Sequence, residues 1–249
     1  MKLIILAAGQ GTRLRPYTNT IPKCLVQYAG VPLLEYQLEA ADSAGINEII
    51  VIGGYKAESI KYPNIKKIVN NEYATTNMVY TMFKAIELFD GKSDIIMAYG
   101  DIIYEKSILK LLCESDHSIT LVSDQHWKKY WSKRMDDPLN DVETFKISNG
   151  KLSELGKAPK SSSEVEGQYI GLVKFSKDII LKIVNEWKLL CENDDKEIID
   201  TMYMTDFIQR LINREYVVDI LQIKNGWMEF DQPADLEIEP AGLIDLPIK

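Results

Sequence analysis

Short apolar segments alternate with helical patterns along the first half of this 249-residue chain. The first apolar segment, residues 2–6, leads into glycines and then into 32–45, where Leu34, Leu38 and Ala41 recur at helical spacing. Further apolar segments lie at 48–54, 65–70, 94–101 and 118–124, with helical patterns at 77–89 and 108–115. Strands that alternate with helices in this way predict an α/β fold, in which helices flank a mixed, mainly parallel central sheet.

After about residue 125 the alternation becomes irregular. Segment 125–146 is rich in aromatic and charged residues without a clean period, and Asn149-Gly150 predicts the turn of a β-hairpin. Further strands are predicted at 169–176 and 216–223, and further helices at 179–191 and 204–213. Because the sequence shows neither internal repeats nor a low-complexity linker, we interpret residues 1–249 as one domain that carries a small inserted lobe.

The charge is distributed unevenly along the chain. The formal net charge is −8, yet no acidic residue precedes Glu35, whereas Lys2, Arg13, Arg15 and Lys23 are all basic. An acidic protein is a poor match for nucleic acid, which requires a basic face, so we expect no nucleic-acid partner. A basic site of local extent is still compatible with a small anionic ligand.

Targeting segments and cysteines also limit the function. No segment approaches the ~20 consecutive apolar residues that a membrane-spanning helix needs, so we expect no membrane association. The apolar N-terminal run is about seven residues long and passes directly into glycines and arginines, which favours a buried strand over a signal peptide. Cys24, Cys113 and Cys191 form neither a metal-ligand pattern nor a disulfide framework. We therefore expect a protein of the reducing cytoplasm.

The loop after the first strand, GQGTRLRPYTNTIPK at 9–23, has the composition of a phosphate-binding loop. Glycine lets backbone N–H groups approach an anion closely, and successive amides form an anion-binding concavity. Two familiar motifs are excluded, because Leu14 occupies the third glycine position of a dinucleotide fingerprint and the GK[ST] of a Walker loop is absent. A solvated basic loop is the alternative interpretation.

Two aspartates are candidate metal ligands. Asp101 ends an apolar strand, at the sheet edge where open α/β folds bind their ligands, and Asp231 follows an aromatic segment late in the chain. If the fold brings them together, their carboxylates would hold one Mg²⁺ that also binds phosphate oxygens and waters. The alternative is that each aspartate is an ordinary residue at a strand end or a turn.

The loop resembles the G-x-G-[ST]-R-L-x-P-x-T…P-K signature of the nucleotidyltransferases that make nucleotide sugars and CDP-alcohols. Similar segments follow in the order of that family at 99–104, 147–159, 168–175, 203–208 and 227–236, so the resemblance spans nearly the whole chain. It implies a Rossmann-like nucleotidyltransferase fold of the GT-A-like type, with a small inserted acceptor-binding lobe. The nucleotide-binding part would cover about 1–124, and the acceptor-binding part about 125–240.

Within that family the chain most resembles cytidylyltransferases that act on small phosphorylated compounds. Residues 131–147 and 167–172 are similar to the phosphoglutamine cytidylyltransferases of capsule phosphoramidate synthesis, and the phosphocholine and 2-aminoethylphosphonate enzymes are also similar. Two positions depart from the wider pattern. The E-K-P motif is G-K-A-P here, so only Lys157 carries over, and Gln232 replaces a glycine that is usual in sugar-nucleotide enzymes, which weakens a sugar acceptor.

The resemblance implies a reaction in which an acceptor phosphate oxygen attacks the α-phosphorus of CTP and pyrophosphate leaves. A phosphate nucleophile is already ionised and needs no general base, which agrees with the absence of His117 and His126 from any catalytic pattern. Lys23 would bridge the α-phosphate and the attacking phosphate. Arg13 would bind the departing pyrophosphate through its fork of donors.

The same resemblance implies the binding roles. Asp101 and Asp231 would bind Mg²⁺, and Lys157 would bind the acceptor phosphate. Asn77 would contact the cytosine or the ribose, although its place at a predicted helix start also suits a plain N-cap. The residues expected to bind the nucleotide are Leu6, Ala7, Ala8, Gly9, Gly11, Thr12, Asn77 and Gly100.

Segment 127–146 is the candidate for recognition of the acceptor headgroup. Trp127, Trp131, Lys133 and Arg134 would clamp an amino-acid or choline-like group, since tryptophan faces attract cations. The basic pair favours an acceptor that carries its own carboxylate. The alternative is a segment that packs its tryptophans into the core.

The leading hypothesis is a Mg²⁺-dependent cytidylyltransferase that couples CTP to glutamine phosphate and yields CDP-glutamine and pyrophosphate. A sugar-1-phosphate nucleotidyltransferase is the alternative enzyme, and a nucleotide-binding regulatory protein is the alternative outside enzymes. The apolar tail at 241–249 is suited to dock on the body or on another subunit, so a homo-oligomer stays open.

Overall fold

The computed structural model describes residues 1–246, in which helices and strands alternate. The helices are α1 Leu33–Ser43, α2 Met78–Phe83, α3 Lys106–Glu114, α4 Trp127–Arg134, α5 Lys177–Asn193, α6 Lys196–Thr201 and α7 Met204–Asn213. The strands are β1 Lys2–Ala7, β2 Gln27–Tyr28, β3 Val31–Pro32, β4 Glu48–Gly53, β5 Lys66–Val69, β6 Ile95–Tyr99, β7 Ile102–Tyr104, β8 Ile119–Asp124, β9 Phe145–Ser148, β10 Lys151–Leu155, β11 Gln168–Phe175, β12 Asp219–Ile223 and β13 Trp227–Glu229.

Nine strands form the central sheet in the order β5-β4-β1-β6-β11-β8-β12-β10-β9. Strand β1 pairs in parallel with β4 and β6, and β12 pairs in parallel with β8. Strand β11 runs antiparallel between β6 and β8, and β9 and β10 form an antiparallel pair at one edge. The predicted mixed α/β sheet is therefore confirmed, and each of its antiparallel pairs includes at least one strand from the second half of the chain.

Two hydrophobic layers cover the two faces of the sheet. In β1, Leu3 and Ile5 contribute to the layer under α1, α3 and α4, while Ile4 and Leu6 contribute to the layer under α2, α5 and α7. The division follows from strand geometry, because successive side chains point to opposite faces. A strand covered on both sides reads as a continuous apolar run, which accounts for the sequence at 2–6.

Two local predictions have different outcomes. The turn at Asn149-Gly150 joins antiparallel β9 and β10, and both residues adopt the left-handed conformation that a tight hairpin turn requires. The helix predicted over 77–89 ends as an α-helix at Phe83, and a 3-10 turn at Ile86–Leu88 follows it. The backbone tightens there because the N–H groups of the next residues donate to carbonyls three positions back, as Ala85 does to Met82 at 3.2 Å.

The C-terminal segment packs on the body of the protein. Leu243 and Ile244 are buried, and the backbone N–H of Gly226 donates to the carbonyl of Leu243 at 2.6 Å. The predicted docking on the body is therefore observed for residues 241–246, and the remainder of the 241–249 tail lies outside the described residues. Across residues 1–246, no helix combines the length and apolar character needed to cross a membrane.

Candidate active site

The glycine loop after β1 wraps around Lys23. Gly11 has a φ of 58°, in the left-handed region, and a Cβ there would lie 3.1 Å from the Cβ of Lys23 and 3.2 Å from the methyl of Thr18. The Thr18 hydroxyl also donates to the Gly11 carbonyl at 2.8 Å, which closes the loop. A side chain at position 11 would be both strained and crowded, so the motif requires glycine there.

The end of β6 lies against the end of β1. The backbone N–H of Gly100 donates to the carbonyl of Leu6 at 2.9 Å, and a Cβ on Gly100 would lie 2.7 Å from that oxygen. Glycine at this position therefore lets the two parallel strands deliver the glycine loop and Asp101 to the same sheet edge. Open α/β sheets bind their ligands at this edge, beyond the carboxyl ends of the strands.

A short two-stranded ladder brings Asp231 to Asp101. Strands β7 and β13 pair antiparallel, with Ile102 opposite Glu229, and the N–H of Phe230 donates to the Asp101 carbonyl at 3.0 Å. Residues that are far apart in sequence are thereby fixed side by side. The juxtaposition of the two aspartates, on which the metal hypothesis depends, is present.

Lys23 bridges the two aspartates. Its Nζ lies 2.6 Å from Oδ2 of Asp101 and 2.5 Å from Oδ1 of Asp231, and its side chain is only 15% exposed. Burial alone would lower the pKa of Lys23, but the charges and hydrogen bonds of the two carboxylates outweigh burial and raise that pKa. Lys23 is therefore a stable cation at the centre of the site.

Two arginines contact Asp231 from different environments. Nη2 of Arg13 lies 3.0 Å from Oδ1 and its side chain is 67% exposed, whereas Nη2 of Arg134 lies 3.5 Å from Oδ2 and its side chain is 1% exposed. Burial favours protonation of Asp231, but the charges of Lys23, Arg13 and Arg134 outweigh it and hold the pKa of Asp231 below its ordinary value. Asp231 is thus kept ionised.

Arg134 also anchors a buried carboxylate network that the sequence did not predict. Its Nε and Nη2 donate to the two oxygens of Asp235, at 3.0 and 3.2 Å, and its Nη1 donates to Glu229. Asp235 in turn accepts the backbone N–H of Asp231 at 2.7 Å, which fixes the position of that residue. Burial raises the pKa of Glu229 to about 7, against the opposing charge of Arg134.

These groups open into a cavity of about 370 Å³, called the nucleotide cavity below. All of the residues expected to bind the nucleotide line it, together with Arg13, Lys23, Asp101 and Asp231. The structure thus gathers the predicted nucleotide, catalytic and metal residues in one place. The lining residues that the sequence did not predict are Cys24, Tyr73, Thr76, Met78, Thr81, Tyr99 and Glu229.

Asn77 lines the nucleotide cavity and also caps α2. Its side-chain oxygen accepts the N–H of Met78 at 2.8 Å, and its Nδ2 donates to the carbonyl of Thr201 at 3.1 Å. The backbone N–H of Asn77 donates to the carbonyl of Asp200 at 2.7 Å. The N-cap interpretation is therefore correct, and the same bonds tie the start of α2 to the end of α6.

A wider cavity of about 960 Å³ adjoins the first, and Thr76 and Asn77 line both. Lys157 lies in this wider cavity with most of its side chain exposed, and its Nζ pairs with Glu154 at 2.6 Å. An exposed ion pair of this kind contributes little free energy, so its exchange for a phosphate is easy. Lys157 therefore has the exposure and the location that its predicted role needs.

The structure contradicts the headgroup clamp predicted on segment 127–146. Trp127 is buried, and its indole N–H donates to the carbonyl of Val165 at 3.2 Å. Trp131 is buried against Trp227, with the two ring centroids 5.8 Å apart. Neither ring is open to a ligand, so the packing alternative is correct for both tryptophans.

The basic pair of that segment divides between core and solvent. Arg134 is held by buried carboxylates, and Lys133 is exposed on α4 and lines neither of the two cavities. The reason is helical geometry, because Trp127, Tyr130, Trp131 and Arg134 recur at the spacing of one helical face, and α4 buries that face. This spacing is the sequence signal that identifies the segment as structural.

The two aspartates fit a magnesium ion that is shared with a nucleotide. Both carboxylates converge on one cation, the ammonium of Lys23, so their oxygens point toward a common cation position. Within the described residues no group of three or more His, Cys, Asp or Glu side chains is arranged to hold a metal ion. Two carboxylates are typical of a Mg²⁺ that takes its other ligands from substrate phosphates and water.

Comparison with known proteins agrees with this geometry. The family model for the MobA-like NTP transferase domain matches residues 3–154. The CTP:phosphoglutamine cytidylyltransferase of Campylobacter jejuni is 40% identical over 250 residues, which cover 96% of this chain and 99% of that protein.

Solved structures share the fold over almost the full length. The CTP:phosphocholine cytidylyltransferase from Streptococcus pneumoniae has a TM-score of 0.74 at 25% identity, covering 95% of this chain and 96% of that one. The inositol-1-phosphate CTP transferase from T. maritima has a TM-score of 0.72 at 19% identity, covering 94% and 90%, and is similar in fold alone. The chain therefore belongs to the nucleotidyltransferases that carry a MobA-like NTP transferase domain.

Proposed function

We propose that the chain is a CTP-dependent cytidylyltransferase that transfers a cytidylyl group to a small phosphorylated acceptor, with L-glutamine phosphate as the favoured acceptor. The observation that carries the proposal is the meeting of Lys23, Asp101 and Asp231 in a cavity lined by the glycine loop. The choice of CTP and glutamine phosphate is supported by the 40% identity with the Campylobacter jejuni enzyme across almost all of both chains. The products are CDP-glutamine and pyrophosphate.

In the proposed reaction an oxygen of the acceptor phosphate attacks the α-phosphorus of CTP in line, and the bond to pyrophosphate breaks. The attacking oxygen is already ionised, so the protein has to align the reactants and neutralise charge, and no residue has to remove a proton. This requirement agrees with a site built from cations and ion-paired carboxylates. The structure describes both histidines, His117 and His126, and neither lines the two cavities.

Lys23 is the residue that we assign to the transition state. In the free protein its ammonium is neutralised by Asp101 and Asp231. With nucleotide bound, the same ammonium would turn toward the α-phosphate, where negative charge grows as the acceptor attacks. Arg13, which is more exposed, would bind the pyrophosphate as it departs.

Mg²⁺ is the proposed cofactor, and Asp101 and Asp231 are the residues that would hold it. When bound together with the triphosphate, it would offset the repulsion between the two anionic reactants. The lowered pKa of Asp231 keeps this carboxylate deprotonated at neutral pH, which a hard cation requires of its ligands.

Lys157 is the residue that we assign to the acceptor phosphate, in the wider cavity. Its side chain is 65% exposed and is paired with Glu154, so the lysine is able to exchange that partner for a phosphate. Cytoplasmic CTP would be the donor, and the free thiols of Cys24, Cys113 and Cys191 suit a reducing compartment. CDP-glutamine would then serve the modification of a capsule or another surface polysaccharide.

The test is pyrophosphate release in the presence of Mg²⁺, with each of CTP, UTP, dTTP and GTP combined with each of several acceptors. The acceptors are glutamine phosphate, phosphocholine, 2-aminoethylphosphonate and glucose 1-phosphate. Release with CTP and glutamine phosphate alone is the expected result. Release with a hexose phosphate and another nucleotide would move the chain to the sugar-nucleotide enzymes, and nucleotide binding without release would favour a regulatory protein.

A further inference from the structure

Among the residues of α1, all of which the structure describes, Gln37 is the one polar side chain that is buried. The other buried residues of this helix recur with it at helical spacing and are Leu33, Leu34, Ala40 and Ala41. Gln37 is 0% exposed, and it lines neither the nucleotide cavity nor the wider cavity. A polar side chain is retained in such a place when hydrogen bonds compensate for the loss of its hydration.

The amide of Gln37 joins two backbone carbonyls that lie on either side of Asp101. Its Nε2 donates to the carbonyl of Tyr99 at 2.8 Å and to the carbonyl of Ile102 at 2.9 Å. Tyr99 ends β6 and Ile102 begins β7, so the two N–H groups of one amide hold both ends of the turn between these strands. The amide oxygen of Gln37 is buried and has no hydrogen-bond partner among the described residues. The side chain therefore acts on the site through its two donated bonds.

The carbonyl of Ile102 faces α1 because of the register between β7 and β13. The N–H of Phe230 donates to the carbonyl of Asp101 at 3.0 Å. The N–H of Glu105 donates to the carbonyl of Gly226 at 2.8 Å, so positions 101 and 105 both face β13. Alternate residues of an antiparallel ladder bond to the neighbouring strand, so the carbonyl of Ile102 points away from β13 and toward the helix. Removal of the glutamine amide would leave this buried carbonyl without its bond to α1, and a buried unpaired carbonyl is costly.

The turn at 99–102 is held from three directions. The N–H of Gly100 bonds to the carbonyl of Leu6 on β1, β13 bonds to the carbonyl of Asp101, and α1 bonds to both ends of the turn. The side chain of Asp101 is 25% exposed and projects from this turn to Nζ of Lys23, at 2.6 Å. The backbone bonds therefore determine where the carboxylate of Asp101 lies in the nucleotide cavity.

We propose that Gln37 is a positioning residue for Asp101, and that its two bonds hold this carboxylate where it binds the metal together with the nucleotide. The role requires a neutral side chain with two donors, because an ionised glutamate would place only acceptors against the two carbonyls. Gln37 touches neither the substrates nor the metal and acts through Asp101. The inference rests on the proposed function, in which Asp101 is a ligand of Mg²⁺.

The test measures metal binding directly in Gln37→Met, which keeps the length of the side chain and removes both donors. Mn²⁺ replaces Mg²⁺ because electron paramagnetic resonance detects it, and CTP is present without an acceptor so that no transfer occurs. The variant should bind Mn²⁺ about 10–100-fold more weakly than the wild type, the usual loss when a residue that orients a metal ligand is removed. In steady-state assays the Mg²⁺ concentration for half-maximal rate should rise by a similar factor, and excess Mg²⁺ should recover most of kcat.

Controls separate a positioning role from a structural one. In an Asp101→Asn background, Gln37→Met should weaken Mn²⁺ binding no further, because the glutamine acts through that carboxylate. Leu34→Ala, on the same buried face of α1, should lower the unfolding midpoint and leave Mn²⁺ affinity unchanged. Gln37→Asn keeps both donors on a shorter stem and should give an intermediate loss, and it decides the test if Gln37→Met does not fold.

The outcomes distinguish this inference from the proposed function. Unchanged Mn²⁺ affinity in a folded Gln37→Met, or an equal loss in the Asp101→Asn background, would overturn the role of Gln37 and leave the proposed function standing. Mn²⁺ binding that depends on Gln37 in a protein that releases no pyrophosphate with any acceptor would support the role and discard the transferase. A wild-type protein that binds no Mn²⁺ in the presence of CTP would overturn the assignment of Asp101 and the role of Gln37 with it.

Discussion

Asp231 is contacted by cations of two different kinds. Arg13 and Lys23 approach it from the nucleotide cavity, whereas Arg134 approaches it from the core. Arg13 is mostly exposed, but Arg134 is almost completely buried and binds Asp235 and Glu229 as well. Arg13 and Lys23 line the nucleotide cavity and Arg134 does not, so we expect a bound phosphate to meet only the first two.

The cations on the cavity side are the ones proposed to bind the ligand, whereas the cation in the core fixes the geometry of the site. An ammonium that is to contact a phosphate must be able to leave its resting partners at a small cost in free energy. A guanidinium that holds several buried carboxylates cannot leave, because each would become an unpaired buried charge. Arg134 is accordingly a permanent counter-charge behind Asp231, and Lys23 is an exchangeable one in front of it.

The largest expected effect is on stability, at Arg134. Arg134→Met should lower the free energy of unfolding by about 3–5 kcal/mol, since it leaves Asp235 and Glu229 buried without their partner. Urea denaturation of the wild type and the variant measures the loss. A change of less than about 1 kcal/mol, the usual size for an exposed pair, would show that this arginine is as weakly held as Arg13.

The next effect is on turnover, at Lys23. Lys23→Met should lower kcat by about 10²–10³, the usual loss when a group that stabilises transition-state charge is removed. Circular dichroism should show that the variant remains folded, because the cavity side leaves Asp101 and Asp231 within reach of water and ions. Wild-type kcat in the folded variant would remove Lys23 from the chemistry.

A smaller effect is expected at Arg13. Arg13→Ala should lower kcat/KM for the nucleotide about tenfold, which corresponds to the loss of a charge-assisted hydrogen bond to phosphate. The free energy of unfolding should change by no more than about 0.5 kcal/mol, because the side chain is exposed. Steady-state kinetics and urea denaturation check the two parts. A loss of stability comparable to that of Arg134→Met would erase the distinction between the two arginines.

The smallest effect is expected at Lys133, the neighbour of Arg134 in sequence. Lys133→Ala should leave both kcat/KM for the acceptor and the unfolding free energy within experimental error, because the side chain lies on the exposed face of α4. The same two measurements apply. A selective rise in KM for the acceptor would instead show that Lys133 contacts the acceptor, as the predicted headgroup clamp requires.

The sequence is most informative where the site is made by a continuous segment. The glycine loop carries its requirement in the residues themselves, since position 11 needs a left-handed glycine and Lys23 is wrapped by the same loop. Asp101 is similarly predictable, because it follows a buried strand at the ligand-binding edge of the sheet. Fold class is predictable for the same reason, because the strands and helices of the first half of the chain show a local hydrophobic periodicity.

The sequence is least informative where the site depends on contacts between distant elements. Glu229 and Asp235 are brought into the site only by the pairing of β13 with β7 and by the packing of α4 against them. The predicted role of Arg134 in a headgroup clamp is wrong, because the side chain lies on the buried face of α4 and is held there by Asp235.

The pairing of β7 with β13 also determines how late in synthesis of the chain the site is completed. The glycine loop and Asp101 precede β13 by more than half of the chain, and β13 itself is secured when Gly226 bonds to Leu243. A chain that is still emerging from the ribosome therefore carries the glycine loop long before it carries Asp231. If Asp231 is a metal ligand as proposed, such an unfinished chain lacks the second carboxylate and is expected not to consume CTP during synthesis.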